Sequence, residues 1–510
     1  MKHIISTIIL LCFVAAFLPA QPDNPEPVTP NASVEARALL EFIYSISGKY
    51  TLTGQHNYPD TRDRNTRFAA RYIGQTPVVW SSDMGFAGEG SYDYYLARPD
   101  IVREAIRQHK KGSIITICWH AVPPTADEPV TFQPRRGQPV PPDSLASVQG
   151  RLLDEQFRDV LTPGTELYKR WAAQVDTVAV YLKKLQEAKV PVLWRPYHEM
   201  NGDWFWWGGR VGEYSTADLY RQMFDRYVNY HKLDNLIWVW SVDRPSTPIR
   251  KFSNFYPGNE FLDILSLDVY GSDFNQDYYD SLMALSEGKP VVLGEVGNPP
   301  SLEILDAQPN WALWVIWAGM VRNLSKKQHL ELVNDPRILS QEDPAYWETT
   351  AAYRRACGMD VLPRKNKYPA DFTGVWLFNE EESTLGNAGT GRVSYKMEVT
   401  QDDEMLFVKK YDIVEWGDDR ISNEEIDLDG KEMKSTSFNA PRISAVSWDK
   451  ETGTMKISTT MTFNRGGNSM EMNSSEEWTL KEEGKVLSIR QQSTGFRGDE
   501  IITNIIYEKQ

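Results

Sequence analysis

The stretch VPVLWRPYHEMNGDWFWWGG, Val190–Gly209, joins two kinds of text that rarely meet. Its first residues are apolar and β-branched, which reads as a buried strand. Ahead of it, WAAQVDTVAVYLKKLQEAK has the spacing of a long amphipathic helix. After it come Arg195, His198 and Glu199, then the aromatics Trp204, Phe205, Trp206 and Trp207. A core strand excludes the Arg, the His and the Glu. A solvated loop excludes the run of aromatics. A sugar-binding cleft is one place both wet and aromatic. A buried strand that follows a helix and ends in polar residues is the unit of a parallel α/β sheet, with its site above the strand's C-terminal end.

The same pattern repeats outward in both directions. TPVVWSSD, SIITICWH, NLIWVWSVD, LDILSLDVYG, KPVVLGEVG and WALWVIWAG are apolar runs, most of them closing on polar residues. Helical segments such as VEARALLEFIYSI, DIVREAIRQHKKG and TADLYRQMFDRYVNYHKL separate them. Gly112 marks a helix stop. About eight such units predict a (β/α)₈ TIM barrel over residues 33–365. The Pro-rich insertion AVPPTADEPVTFQPRRGQPVPPDS follows the ICWH strand and would wall one end of the cleft. From 370 to 510 the text changes to short runs of period two, among them YKMEVTQDD and TMKISTTMTFN, which predict a small antiparallel all-β barrel.

Composition narrows the classes. The chain has 510 residues, 41% of them apolar and 25% charged, as globular proteins do. Its formal net charge of −15 argues against nucleic acid or anionic lipid as a partner. Met1, Lys2 and His3 precede an apolar run from Ile4 to Leu18 that closes on Pro19-Ala20. This predicts a secretory signal over 1–20, a flexible leader over 21–32, and a secreted or periplasmic protein. The run is too short to span a bilayer, and no other window suggests a membrane span. Beyond the signal, Cys118 and Cys357 are expected to be free thiols, and Cys118 reads as a buried strand residue. The seven histidines show no close ligand pair, and there is no HExxH, phosphate loop or dinucleotide fingerprint. No metal and no cofactor are expected, and the chain reads as a monomer.

Two glutamates, Glu199 and Glu295, close apolar strands. Either alone reads equally well as a structural acid paired with Arg195 or a Lys. Together, on different strands of one barrel, they match the carboxyl pair that glycoside hydrolysis needs. Burial among Trp residues is expected to raise the Glu199 pKa and keep a proton for donation, while Arg195 keeps Glu295 ionised. Gly294 and Gly297 leave room for close approach. Asp83 and Asp268 also sit at strand ends, as cleft residues or as structural acids.

WRPYHEMNGDWFWWG resembles the signature of glycoside hydrolase family 26, retaining β-mannanases of the large clan of (β/α)₈ glycosidases. YTLTGQHN resembles the family's first strand, ICWH its third, LDVYG its sixth and GEVG its seventh. Clan members usually carry Asn before the acid/base, whereas this family carries His, as at His198. The resemblance implies that Glu199 is the acid/base and Glu295 the nucleophile. It implies that His120 reaches the −1 sugar and that His198 supports the nucleophile or the sugar hydroxyls. Tyr270 would hydrogen-bond the nucleophile, and Trp204 and Trp317 would pack on the sugar. Trp317 competes for that role with Trp311 and Trp314. His120 and Tyr270 also admit plain strand-end and core roles, and Phe205, Trp206 and Trp207 admit simple packing, with one or two touching sugar. The C-terminal region, through DFTGVWLF, resembles lipocalin-like β-barrel modules, an accessory domain without an assigned ligand. The implied activity is a secreted endo-β-1,4-mannanase acting on a polysaccharide. The alternatives are another family-26 specificity (mixed-linkage β-glucan, β-1,3-xylan, exo release of mannobiose) and a non-catalytic carbohydrate-binding protein.

Overall fold

A computed structural model describes residues 25–134, 144–361, 368–386, 393–401, 404–414, 418–437, 440–465, 468–494 and 500–510. The expected signal over 1–20, the start of the leader and part of the Pro-rich insertion lie outside them. The chain divides into two compact units, Met1–Pro363 and Arg364–Gln510.

The first unit is a closed parallel barrel. Its strands are β1 (Gly54–Asn57), β2 (Val79–Asp83), β3 (Ile114–Trp119), β4 (Val192–Pro196), β5 (Leu236–Asp243), β6 (Ile264–Val269), β7 (Val291–Val296) and β8 (Trp311–Ile316). Each pairs with the next in parallel, and β8 closes the ring by pairing with both β7 and β1. Every residue of these strands is buried, which is why they read as continuous apolar runs instead of alternating ones. The helix Glu166–Glu187 shows how the outer layer is written. Thr165 caps its N-terminus by accepting from the Tyr168 N–H. Trp171, Val175, Val178, Leu182 and Leu185, three or four residues apart, form its buried face. The helix Arg98–Lys111 ends on Gly112 in the left-handed conformation, φ 106°. That backbone angle favours glycine, and a side chain there would also press on the Arg354 guanidinium.

Much of the tryptophan serves this core. Trp80, Trp171, Trp194, Trp238, Trp240 and Trp311 are at most 1% exposed. Truncating any one of them to alanine costs on the order of 3–5 kcal/mol. No helix among the described residues is long and apolar enough to cross a membrane.

The second unit is all β, with ten strands among the described residues. They are β9 (Gly374–Thr384), β10 (Lys396–Gln401), β11 (Met405–Asp412), β12 (Arg420–Asp427), β13 (Met433–Ser437), β14 (Ala440–Asp449), β15 (Thr454–Arg465), β16 (Asn468–Lys481), β17 (Val486–Thr494) and β18 (Glu500–Lys509). They pair antiparallel in the order β12-β11-β10-β9-β18-β17-β16-β15-β14-β13, so the two edges are consecutive strands and the sheet curls into a nearly closed barrel. Alternate residues face inward, for example Leu406, Val408 and then Lys410 on β11. Lys410 and Arg442 both reach Glu424, at 3.0 and 2.6 Å, and so tie β11 and β14 to β12.

Candidate active site

The site is built where β4 ends. Pro196 closes the strand, and Tyr197 and Glu199 then adopt left-handed backbone angles, φ 48° and 50°. Neither is glycine, so each costs on the order of 1–3 kcal/mol unless its surroundings fix it. They do. The fully buried Tyr197 accepts a hydrogen bond from Trp171 Nε1 at 2.9 Å, and Trp207 Nε1 donates to the His198 carbonyl at 3.0 Å. Asn201 pins the following turn to the end of β5, donating to the Asp243 carbonyl at 2.6 Å and accepting from its N–H at 2.7 Å. This double twist puts the Glu199 carboxyl among the other acids of the barrel mouth.

Glu295 lies on β7, across from it. Tyr270 O–H donates to Glu295 Oε2 at 2.7 Å, and Arg195 Nη2 donates to Oε1. The other arm of Arg195 donates to Asp268 Oδ2 at 2.9 Å and to Ser241 at 3.2 Å. One oxygen from each of Glu199, Asp268 and Glu295 lies within 4.8 Å of the others. All three are buried, so one guanidinium faces three carboxyls at a place where water cannot screen them.

The protonation pattern follows. Burial, then Glu295, Asp268 and Asp243, push the Glu199 carboxyl well above the usual range. It accepts from Trp204 Nε1 at 2.6 Å and makes no ion pair among the described residues. Burial opposes the Arg195 charge, but Asp268 and Glu295 hold its pKa well up. Burial and the neighbouring Glu295 likewise raise Tyr270, which therefore keeps the proton it donates. His198, with Nε2 at 3.8 Å from Glu295, is driven well down by burial and then by His120 and Arg195, and stays neutral. His120 takes the opposite course. Burial would lower it, but Asp83, 2.8 Å from Nδ1, raises it.

The eight residues singled out from sequence come together here. Arg195, His198, Glu199, Tyr270 and Glu295 form the centre, with Trp204 bonded to Glu199. His120 packs edge-on against His198 with ring centroids 4.4 Å apart, and Trp317 lies 6.2 Å from His120. Of the three competing tryptophans, Trp311 and Trp314 are buried in the core and Trp317 is partly exposed. Asp83 orients His120, and Asp268 clamps Arg195. Phe205, Trp206 and Trp207 are buried packing: Phe205 and Trp207 stack at 4.4 Å, and Trp206 Nε1 donates to the Ala121 carbonyl. Gly294 makes its room for protein groups. A side chain there would strike Ser266, Asp268 and Arg195.

Sequence reasoning passed over His56. Its ring stacks on Trp317 at 3.8 Å and 11°, and Nδ1 lies 2.9 Å from Ser81 Oγ. Burial drives its pKa down to about 3, so it is neutral. The signal was present in GQHN, where a histidine closes the first strand. Arg250 was also missed; it lies 5.4 Å over the Trp204 ring and pairs with Asp203 at 2.5 Å.

A parallel eight-stranded barrel with two carboxyls facing each other across its C-terminal mouth, walled by aromatics, defines the class of (β/α)₈ glycoside hydrolases. The sequence profile of glycosyl hydrolase family 26 matches residues 28–343, and the chain belongs to that family. Mannan endo-1,4-β-mannosidase of Thermothelomyces thermophilus is 32% identical over 308 residues, 58% of this chain and 57% of the relative. GH26A from Muricauda sp. MAR_2010_75 superposes with TM-score 0.57 at 40% identity, over 62% of this chain and 98% of that one. The GH26-CBM35 β-(1,4)-mannanase of Podospora anserina gives 0.53 at 27% identity, over 66% and 71%. This chain spans about half the length of the first curated relatives it matches.

Proposed function

We propose that the chain is an exported, retaining endo-β-1,4-mannanase. The observation that carries this is the Glu199–Glu295 pair. One oxygen of each lies no more than 4.8 Å from the other, which fits the roughly 5–5.5 Å carboxyl spacing of retaining glycosidases and falls short of the roughly 6.5–9.5 Å that inversion needs for a water. The two acids also differ as the reaction requires. Glu199 is pushed toward the protonated form, and Glu295 is held by a guanidinium and a phenol.

In this reading Glu295 attacks the anomeric carbon and the glycosidic C–O bond breaks. Glu199 gives its proton to the departing oxygen, leaving a glycosyl-enzyme ester. Glu199, now a carboxylate, then takes a proton from water, which attacks the same carbon and releases Glu295. Arg195 and Tyr270 aim the nucleophile, while Trp204, Trp317, His120 and His198 form the sugar-facing wall. The mannanase names of the Thermothelomyces and Podospora relatives support mannan as the substrate. The apolar run Ile4–Leu18 supports export.

The test is the stereochemistry of fresh product. Proton NMR of mannopentaose hydrolysis should show the β-anomer first. The α-anomer appearing first excludes double displacement. Release from mannan should exceed release from lichenan and β-1,3-xylan, as a spread of oligosaccharides. Mannobiose as sole product would mark exo action.

A further inference from the structure

The loop after β5 has two faces. One is fixed to the mouth of the barrel. Arg244 donates to the Tyr270 carbonyl at 2.9 Å, and Arg250 holds Asp203 and lies over Trp204, while its carbonyl accepts from Asn201 at 3.1 Å. The other face, Pro245–Ser253, forms a groove of about 640 Å³ with the helix Gln276–Ser286. That volume lies within the roughly 300–1,000 Å³ of small-molecule sites. We propose that this groove is a second saccharide-binding site, separate from the cleft and used to hold the polymer; this rests on the mannanase reading above.

Three properties of the lining favour a neutral sugar. Hydroxyl side chains line it from both walls, Thr247 and Ser253 on the loop and Ser281 on the helix, beside the half-buried ring of Tyr278. Sugars offer hydroxyls to the first kind of group and C–H faces to the second. The two charges, Lys251 and Asp277, stand on opposite walls and cancel, so the groove selects neither an anion nor a cation. Neither wall is a strand, so no unpaired sheet edge invites an extended peptide. The groove is also pre-formed. Pro245 and Pro248 stiffen the loop, buried Phe252 anchors it, and its inner face is bonded as described, so little ordering cost is left for a ligand.

The test titrates mannohexaose into the full chain carrying Glu295→Ala, which keeps the cleft but stops turnover. One more binding site is expected than in the same chain with Tyr278→Ala or, independently, with Ser281→Arg, which fills the groove from an exposed helix position. With Glu295 intact, both groove variants should hydrolyse mannopentaose within about two-fold of the parent. Both should release several-fold less sugar from insoluble mannan. Unchanged stoichiometry together with unchanged release from insoluble mannan overturns the groove and leaves the mannanase reading intact. A chain that neither binds nor cleaves manno-oligosaccharides overturns both.

Discussion

Each unit gathers a cluster of charges inside a barrel, buried in the first unit and half-buried in the second, and the two clusters are balanced differently. In the second unit Lys410 and Arg442 face Glu424 and Glu476. Burial would push Glu424 up, but the two cations draw it down to about 2, and Glu476 accepts from Trp478 and Gln491. Two positive groups meet two negative ones. In the first unit one guanidinium meets three carboxyls, two negative charges too many, and burial with the neighbouring acids pushes both Glu199 and Asp268 well above the usual carboxylate range, toward the protonated form. A matched cluster ties strands together, whereas an unmatched one stores a transferable proton. A buried network alone therefore says little about chemistry; its imbalance is the informative part.

The sharpest break of this comparison is Glu295→Ala, expected to lower kcat on mannan by roughly four orders of magnitude or more with the fold retained. Near-normal activity would remove Glu295 from the mechanism. Glu199→Gln should cost roughly 10²–10⁴-fold in kcat. Arg195→Met leaves Asp268 and Glu295 buried without their cation and should destabilise the first unit by roughly 3–5 kcal/mol in denaturant melts at neutral pH. If its melt is unchanged, the imbalance is not held in place by Arg195.

Smaller effects test the proton itself. The folded pKa of Glu199 is raised, so its contribution to stability is full below the ordinary glutamate value of 4.5 and is lost as pH rises toward the folded value. Glu199→Gln imitates the protonated acid. It should therefore gain stability over the parent above that pH, by about 1.4 kcal/mol per unit until the folded pKa is reached. A constant difference from pH 4 to 7 would contradict a raised pKa. Glu424→Gln should cost roughly 1.5–3 kcal/mol at neutral pH and leave mannan hydrolysis unchanged. Because the Glu424 pKa is depressed, its contribution is present above about 4.5 and fades as pH falls toward about 2, so parent and variant should converge there.

The barrel was readable because its strands are buried on both faces and end in polar residues, a pattern that survives without coordinates. The pair Glu199 and Glu295 was readable for the same reason. The twist that aims Glu199 was not. Left-handed angles at Tyr197 and Glu199 carry no glycine to announce them and are enforced by side-chain bonds that the sequence does not display: Trp171 on the preceding helix, Trp207 to the His198 carbonyl, and Asn201 to Asp243 on β5. Asp268 was ambiguous until β6 and β7 were aligned, because its partner Arg195 lies on β4. In the second unit alternation revealed strands but not the order that makes β12 and β13 the two edges.

The Arg195 clamp has a consequence for assembly. Its cation stands on β4 and its two carboxyl partners on β6 and β7, so the three meet only when the intervening β5 is seated in the right register. A one-residue slip would turn the guanidinium outward and strand two acids in the interior. The contact that aims the nucleophile thus also favours the correct register of the barrel: a slipped barrel is penalised at the spot where it would also be inactive.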